Sequence, residues 1–468
     1  MNFYQNWKKK YIGTKDFYFH VCSIAIPMIL QNLITNFVSM LDNIMVGQVG
    51  TAQMSAVSIV NQFMFVFNIT VFGGISGASI FGTQYFGKGD AEGQKYTFRF
   101  RMYLIGILML IGFAVFSLFD EPLIRLFLSS DDSPELIAAT LGFGRTYLSI
   151  MIWGLIPFGI GQVYASVVRE CGETKIPMYG SLAAIGINLV LDYGLIFGNL
   201  GMPEMGVAGA AIATVIAKMI EALVVIVWAH ARPEKNKYII GVYRSFYIPM
   251  QLVKKIIIKG CPLLFNEFLW SLGMSIIAQC YSVCGLEVVA ARNIAGTLTN
   301  LFSVVYIQLG ASIGIIVGAK LGAGQFEEAK DCARKLNFFS CASTVLIAIC
   351  VFPFSYLFPA IYKTEETVKA LATFFICVQA IAMPMWAYTH SCYFTLRSGG
   401  KTGITFLFDF LFSWIVMIPL AFGLTHFSQL NIHQIFACVT FSEAVKVVIG
   451  HYLVKSGIWI QNIVNEIR

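Results

Sequence analysis

Charge is scarce in this chain: Asp, Glu, Lys and Arg make up 12% of its 468 residues, where soluble domains carry about a quarter. Set against 57% hydrophobic residues, that deficit excludes a soluble globular protein. No CxxC pair or disulfide framework occurs among the eleven cysteines, an odd number lying mostly inside apolar runs. Cys280 and Cys284, one helical turn apart, read as small packing residues. HExxH, zinc-spaced Cys/His clusters, nucleotide loops and paired nucleophile–base motifs are all missing. Nothing here has the signature of an enzyme, and no cofactor is implied. The basic stretch Met1 to Lys15 is not followed by a small-residue cleavage site after a short apolar core. The first apolar segment therefore reads as a retained span.

What the chain does contain is long apolar stretches. Runs such as Leu104–Phe119, Val345–Phe358 and Phe406–Phe422 approach bilayer-spanning length. Apolar runs read against their breaks predict twelve helices. The first half gives 18–46, 54–82, 102–120, 138–167, 177–198 and 206–230, and the second 255–283, 288–318, 336–359, 367–394, 403–425 and 432–455. Basic residues test the count. With the N-terminus inside, only Arg125, Arg292, Lys363 and Lys369 fall outside, and Arg145 and Lys218 lie within helices; the rest of the 32 Lys and Arg, from Lys8 to Lys446, Lys455 and Arg468, fall on the inner side. This follows the positive-inside rule. It accounts for the net charge of +7 without a nucleic acid partner. The expectation is a multi-pass plasma (inner) membrane protein, monomeric, with both termini cytoplasmic.

Pro27, Gly50, Ala56, Gly87, Gly89 and Lys95 return as Pro262, Gly285, Ala291, Gly322, Gly324 and Lys330, a constant shift of 235. Arg169-x-x-Gly172-x-Thr174 returns as Arg397-x-x-Gly400-x-Thr402, shifted by 228. Two homologous halves are the usual build of a secondary transporter. Six helices per half make the repeats parallel. The fold expected is all-α, twelve transmembrane helices in two six-helix lobes related by a pseudo-two-fold along the membrane normal. The divisions are an N-lobe 1–230, a hydrophilic cytoplasmic linker 231–254 and a C-lobe 255–468. Gly87-x-Gly89 and Gly322-x-Gly324 read as tight helix exits, because no Walker or dinucleotide pattern accompanies them.

A carboxylate at membrane depth costs roughly 2.5–3.5 kcal/mol on insertion scales and by default faces a cavity or partner. Asp42 is the first to explain. It sits in the outer third of helix 1, with Asn32, Thr35, Asn36, Ser39 and Asn43 forming a polar stripe. The other reading is a carboxylate snorkelling to the outer interface. Asp192, in helix 5, is placed at similar depth, and Asn188 precedes it by one turn on the same face. Two carboxylates and an amide suit a proton or a small cation. The shifts carry Asp42 onto Ile277 and Asp192 onto Leu420, so the body is duplicated but its acids are not. Ion coupling is accordingly assigned to the first half. Glu267, without a local partner, reads equally as meeting substrate or ion and as neither. Glu443 with Lys446, and Lys218 with Glu221, read as intrahelical neutralising pairs. Asp409 lies near the cytoplasmic end of helix 11. His390 reads as a hydrogen-bonded histidine or a proton shuttle. Pro27 and Pro262 each remove a helical hydrogen bond mid-span, as a static kink or a working bend.

Pro27 with Asp42-x-x-x-Val46-Gly47-x-x-Gly50, Arg169-x-x-Gly172-x-Thr174-Lys175-Ile176-Pro177, Asn188-x-x-Leu191-Asp192 and Gly206-Val207-Ala208-Gly209-Ala210-Ala211-x-Ala213-Thr214 follow in order. Over essentially its whole length the chain thereby resembles the multidrug and toxic compound extrusion (MATE) transporters of bacteria. The resemblance implies a two-lobed antiporter exporting organic, often cationic, compounds in exchange for H+ or Na+. It also implies functional roles for Pro27, Asp42, Tyr147, Asn188, Asp192 and Thr214, with Na+ admissible at Asp42, Asn188 and Asp192. A sodium-type branch places acids in helices 7 and 10. Here the helix 7 position is Trp270, with Glu267 one turn earlier, and the region around Trp386 has no acid. That departure favours N-lobe coupling. The rivals are a lipid or lipid-linked oligosaccharide flippase of the same superfamily, and a non-transporting membrane receptor or scaffold.

Overall fold

The computed structural model describes residues 2–128, 133–362 and 364–465, with side chains undescribed for residues 2–4 and 43. Lys363 and Arg468 of the charge count, and the Asn43 side chain of the polar stripe, lie outside the described residues. The chain is all α-helical. A short amphipathic α1 (Asn2–Tyr11) precedes α2 (Lys15–Gly47), α3 (Thr51–Lys88), α4 (Ala91–Leu118), a one-turn α5 (Asp120–Arg125), α6 (Pro134–Glu170), α7 (Lys175–Phe197) and α8 (Val207–Ala231). Then come α9 (Met250–Ser282), α10 (Leu286–Gly322), α11 (Phe326–Ala360) and α12 (Glu366–Ser398). The eleventh span is broken into α13 (Thr402–Leu411), a π turn (Phe412–Met417) and α14 (Ile418–Phe427); the last divides into α15 (Ile432–Ser442) and α16 (Ala444–Lys455).

Among the described residues, twelve helical stretches are long and apolar enough to cross a membrane. Each overlaps one of the twelve spans expected from the sequence. Several helices outrun the bilayer: the 38 residues of α3 extend about 57 Å at 1.5 Å per residue, against a hydrocarbon core of about 30 Å. Local chemistry marks where helices begin. Asp90 caps α4 by accepting from the Gly93 amide at 2.9 Å, and Asn431 with Gln434 forms a capping box at α15.

The chain divides into two compact units, residues 26–82 with 90–254, and residues 1–25 with 83–89 and 255–468. In the first, α6 packs against α4 and α8, and α8 against α7. Its core is built from Phe63, Phe67, Phe98, Ile105, Leu148 and Val163. Ala210, Ala211, Ala213, Ala217 and Ala222 are buried along α8; small residues let membrane helices approach closely. The segment after α8, read as a linker, is anchored here. Tyr238 is fully buried, and Arg99 of α4 donates to the carbonyls of Val242 (2.8 Å) and Tyr247 (3.1 Å). Beneath it Arg101 and Glu170 form an ion pair at 2.8 Å, with side chains 0% and 4% exposed.

In the second unit, α10 and α11 pack on α12, and α15 and α16 lean on the same helix. Phe375 stacks on Phe436 with ring centroids 3.9 Å apart. The helix α1 lies on α11 through Trp7 and Phe338. Gly89 and Gly324 leave their helices at φ +74° and +76°, the tight exits expected of them. Gly87 and Gly322 do something else. A Cβ on Gly87 would overlap the Ala319 backbone, and one on Gly322 the Gln84 backbone, so these glycines permit helix contact. Gln84 also donates to the carbonyls of Ser398 (2.9 Å) and Gln461 (3.1 Å), tying down the C-terminal segment.

Candidate functional site

On α7 the buried residues Ser181, Ala184, Asn188, Asp192 and Ile196 recur at helical spacing and form one inward seam. On α2 the seam runs through Gln31, Val38 and Val46, all buried, and Asp42 falls on it, one turn from each valine. The polar stripe expected to carry Asp42 divides here. Thr35, Asn36 and Ser39 are exposed, while Asn32 and Thr35 bond back to the helix carbonyls of Met28 and Gln31. Asp42 belongs with the apolar seam, because adjacent helical positions turn by about 100° and lines of residues one apart diverge.

The carboxyl groups of Asp42 and Asp192 stand side by side, with Asn188 next to Asp192. Asp192 and Asn188 are 1% and 4% exposed. The phenol of Tyr147, from α6, faces both acids and adjoins Thr214 of α8. Its oxygen also lies 3.5 Å from Asn61 Oδ1 on α3. Five residues from four helices thus converge, all of them expected from the sequence. Pro27 is buried in α2, roughly four turns before Asp42. Oδ1 of Asp42, both carboxyl oxygens of Asp192 and Nδ2 of Asn188 are buried without a hydrogen-bond partner. Two bare carboxylates cannot share such a place, since each loses its hydration and repels the other. A shared proton or a small bound cation satisfies these oxygens, and the donor set of carboxylates, amide and hydroxyls suits either.

A second polar layer continues on the same helices. Arg169 Nη2 donates to Gln31 Oε1 (3.1 Å), Gln31 Nε2 to Ser181 Oγ (2.8 Å), and Ser181 Oγ to Glu221 Oε1 (2.6 Å). Lys218 Nζ donates to Glu221 Oε2 at 3.0 Å, and its charge also reaches Asp42. The pairing of Lys218 with Glu221 expected from their spacing is present, but it is one link of a four-helix network. Gln31 and Ser181 escaped the sequence reading. The signal for Ser181 was its place seven residues before Asn188.

Glu267 stands apart from these acids in sequence and in unit. It lies on α9 within electrostatic reach of Arg397 and Asp409. Its neighbour Asn266 donates to Asp409 Oδ2 at 3.2 Å. Lys446 pairs with Asp409, not primarily with Glu443, which is 4.0 Å away. The intrahelical pairing expected from spacing is thus present but is the longer of two, and Lys446, counted with the inner-surface charges, is 7% exposed. His390 Nδ1 lies 3.0 Å from the Trp386 carbonyl on its own helix.

The MatE family model matches residues 27–194 and 262–423, most of the chain. The chain belongs to the MATE family. The two matches begin at Pro27 and Pro262, the pair that opens the internal repeat. MATE proteins are transporters rather than enzymes, so this member is a multi-pass membrane transporter of small molecules. Among curated relatives, a probable multidrug resistance protein NorM of Thermotoga maritima is 23% identical over 416 residues, covering 87% of this chain and 86% of that protein. The probable multidrug resistance protein YoeA of Bacillus subtilis is 23% identical over 441 residues, with 91% of each chain covered. Of solved structures, a Vibrio cholerae MATE transporter, VcmN, superposes with TM-score 0.83 at 17% identity, covering 96% of this chain and 98% of that one. A Pyrococcus furiosus transporter of the MOP superfamily, described as having a binding pocket of reversed polarity, gives TM-score 0.80 at 16% identity over 93% and 95% of the two chains. At these identities the likeness is one of fold.

Proposed function

We propose that this MATE protein is a secondary antiporter that exports organic, cationic or amphiphilic compounds in exchange for H+ or Na+. In this reading Asp42, Asp192 and Asn188 hold the coupling ion, while Tyr147 and Thr214 complete the pocket. The observation that carries it is the pair of adjoining carboxyl groups whose buried oxygens have no donor. Such a pair binds a cation when one is offered and becomes costly when emptied, which is the property a gradient acts on. The NorM and YoeA relatives are named as probable multidrug resistance proteins, which supports this reading. Pro27 fits a hinge, since it leaves a carbonyl of α2 without its helical donor. The bend of α2 would then follow the charge state of Asp42. The positive-inside count supports placing both termini in the cytoplasm of a plasma (inner) membrane protein.

The test is efflux of a fluorescent organic cation from cells or liposomes carrying Asp42→Asn and Asp192→Asn variants at wild-type membrane levels. Loss of gradient-driven efflux in both is expected. Wild-type rates in both would remove the site.

A further inference from the structure

In the second unit, α1 offers a chemistry unlike that of the acid site. Trp7 and Tyr11, one turn apart, both meet Phe338 of α11, with ring centroids at 5.6 and 5.9 Å. Tyr18 extends the contact to Phe339 at 5.0 Å. The turn between α1 and α2 is fixed as well. The Gly13 amide donates to Tyr18 Oη (3.1 Å), and the Phe17 amide to Thr14 Oγ1 (3.2 Å), which caps α2. Phe338 and Phe339 stand just past the charged start of α11, Glu327 to Lys335, where its apolar stretch begins. The aromatic contacts thus hold α1 at the level where a span enters the bilayer.

Lys8, Lys9, Lys10 and Lys15 are exposed, and among the described residues none of the four is paired with a carboxylate. Asp16 is the one acid in the first 25 residues. The cations at the adjoining helix ends are neutralised. Lys320 meets Glu328 at 2.7 Å, Lys330 meets Glu327 at 2.6 Å, and Arg334 and Lys335 both meet Asp331. Large rings protrude beside the bare lysines: Trp7 is 37% exposed and Phe19, on the first turns of α2, 79%. Positive charge and exposed aromatic rings at one depth match the boundary between headgroups and acyl chains.

We propose that α1 is a docking surface for the anionic lipid headgroups of the adjacent leaflet, with Lys8, Lys9, Lys10 and Lys15 gathering phosphate charge around the start of α2. Each surface lysine strengthens attachment to an anionic leaflet about fivefold. A helix already fixed on α11 loses little further freedom when it presents them. An acidic protein or a nucleic acid would also neutralise the lysines. Neither would cover the protruding rings of Trp7 and Phe19, which suit the apolar side of the lipid boundary. The lipid then anchors the end of the span that carries Pro27 and Asp42.

The experiment uses the whole protein in phosphatidylcholine liposomes that contain brominated phosphatidylglycerol or brominated phosphatidylcholine at equal mole fraction. Bromine quenches nearby indoles, and the Trp7 signal is isolated by difference from Trp7→Phe. Stronger quenching of Trp7 by the phosphatidylglycerol is expected. Replacing Lys8, Lys9 and Lys10 together by Gln should raise the phosphatidylglycerol fraction needed for half-quenching at least about tenfold. A check on the unaltered protein is salt: at about 1 M, where the Debye length falls to about 3 Å, the preference should vanish. A control triple, Lys88→Gln, Lys237→Gln and Lys254→Gln, removes the same charge from exposed positions on other segments and should keep the preference. Equal quenching by the two lipids in the wild type overturns the proposal. Absence of quenching by either also overturns it, and would leave the lysines to a soluble acidic partner. Loss of the preference in the control triple overturns it too, by showing an attraction of the whole surface rather than of α1.

Discussion

Lys446 on α16 pairs with Asp409 on α13, across helices, although Glu443 lies three residues back in its own sequence. Asp409 takes a further hydrogen bond from Asn266 of α9, so one carboxylate joins three spans. The π turn that follows α13 begins at Phe412, three residues after Asp409. Such turns widen a helix locally and often mark places under functional or packing demand.

Removing one partner of that pair strands the other charge. Asp409→Asn should destabilise the protein by about 3 kcal/mol, the usual result of breaking a buried ion pair. The double variant with Lys446→Met should recover most of the loss. Thermal unfolding of purified protein in detergent measures both; equal loss in single and double variants would show that the pairing is not what stabilises these helices.

Gly87 and Gly322 are separated in effect from their neighbours Gly89 and Gly324. Gly87→Ala pushes a methyl into the Ala319 backbone and should lower folded yield severely, because backbone cannot move aside as a side chain does. Gly89→Ala meets open space and should cost only about 1 kcal/mol of backbone strain. Folded yield by fluorescence-detected size exclusion ranks the two.

The segment after α8 is held by Arg99 through backbone carbonyls. Arg99→Ala should release it and speed limited trypsin cleavage at Arg244 several-fold relative to wild type, read by mass spectrometry of the two fragments. An unchanged cleavage rate would mean that Tyr238, fully buried, holds the segment without help.

Asn188 adjoins the acid pair and its Nδ2 lacks a partner. Asn188→Ala should weaken ion-coupled efflux by about tenfold, the size of one lost polar contact of about 1–1.5 kcal/mol. Tyr147→Phe removes the hydroxyl facing the same carboxyl groups and should act in the same direction. Efflux rates at matched membrane levels decide it.

Cys171 lies in the turn between α6 and α7, where burial, reinforced by the Glu170 carboxylate, pushes its thiol up to about 12. The reactive thiolate is therefore rare at neutral pH. Maleimide labelling of Cys171 should be slow there and rise with pH throughout the alkaline range. Fast labelling at neutral pH would show the turn to be open.

Twelve spans were legible in the sequence because bilayer length and apolar content are properties of a segment alone. Asp42 and Asp192 were legible as candidates because an ionisable group in an apolar helix has few reasons to be there, and Asn188 because it lies one turn before Asp192. The resemblance supplied Tyr147 and Thr214. Their convergence needed the fold. The polar stripe on α2 pointed to Asn36 and Ser39, which are exposed, because helical spacing shows which residues share a face and not which face is packed. Gln31 carries no charge and gave no signal until the helices met, and Ser181 had only its place seven residues before Asn188.

The sequence by itself determined the membrane-spanning helices, the duplicated body and the confinement of the acid pair to one half; each is a matter of local composition or of comparing the chain with itself. Only the tertiary structure decided partners. It joined Lys446 to Asp409, extended Lys218 and Glu221 to Ser181, Gln31 and Arg169, and anchored the segment after α8 on Arg99. The physical reason is that a charge in an apolar medium is satisfied by whichever group packing brings within about 3 Å. That neighbour belongs to another helix, at a distance along the chain that no spacing rule records.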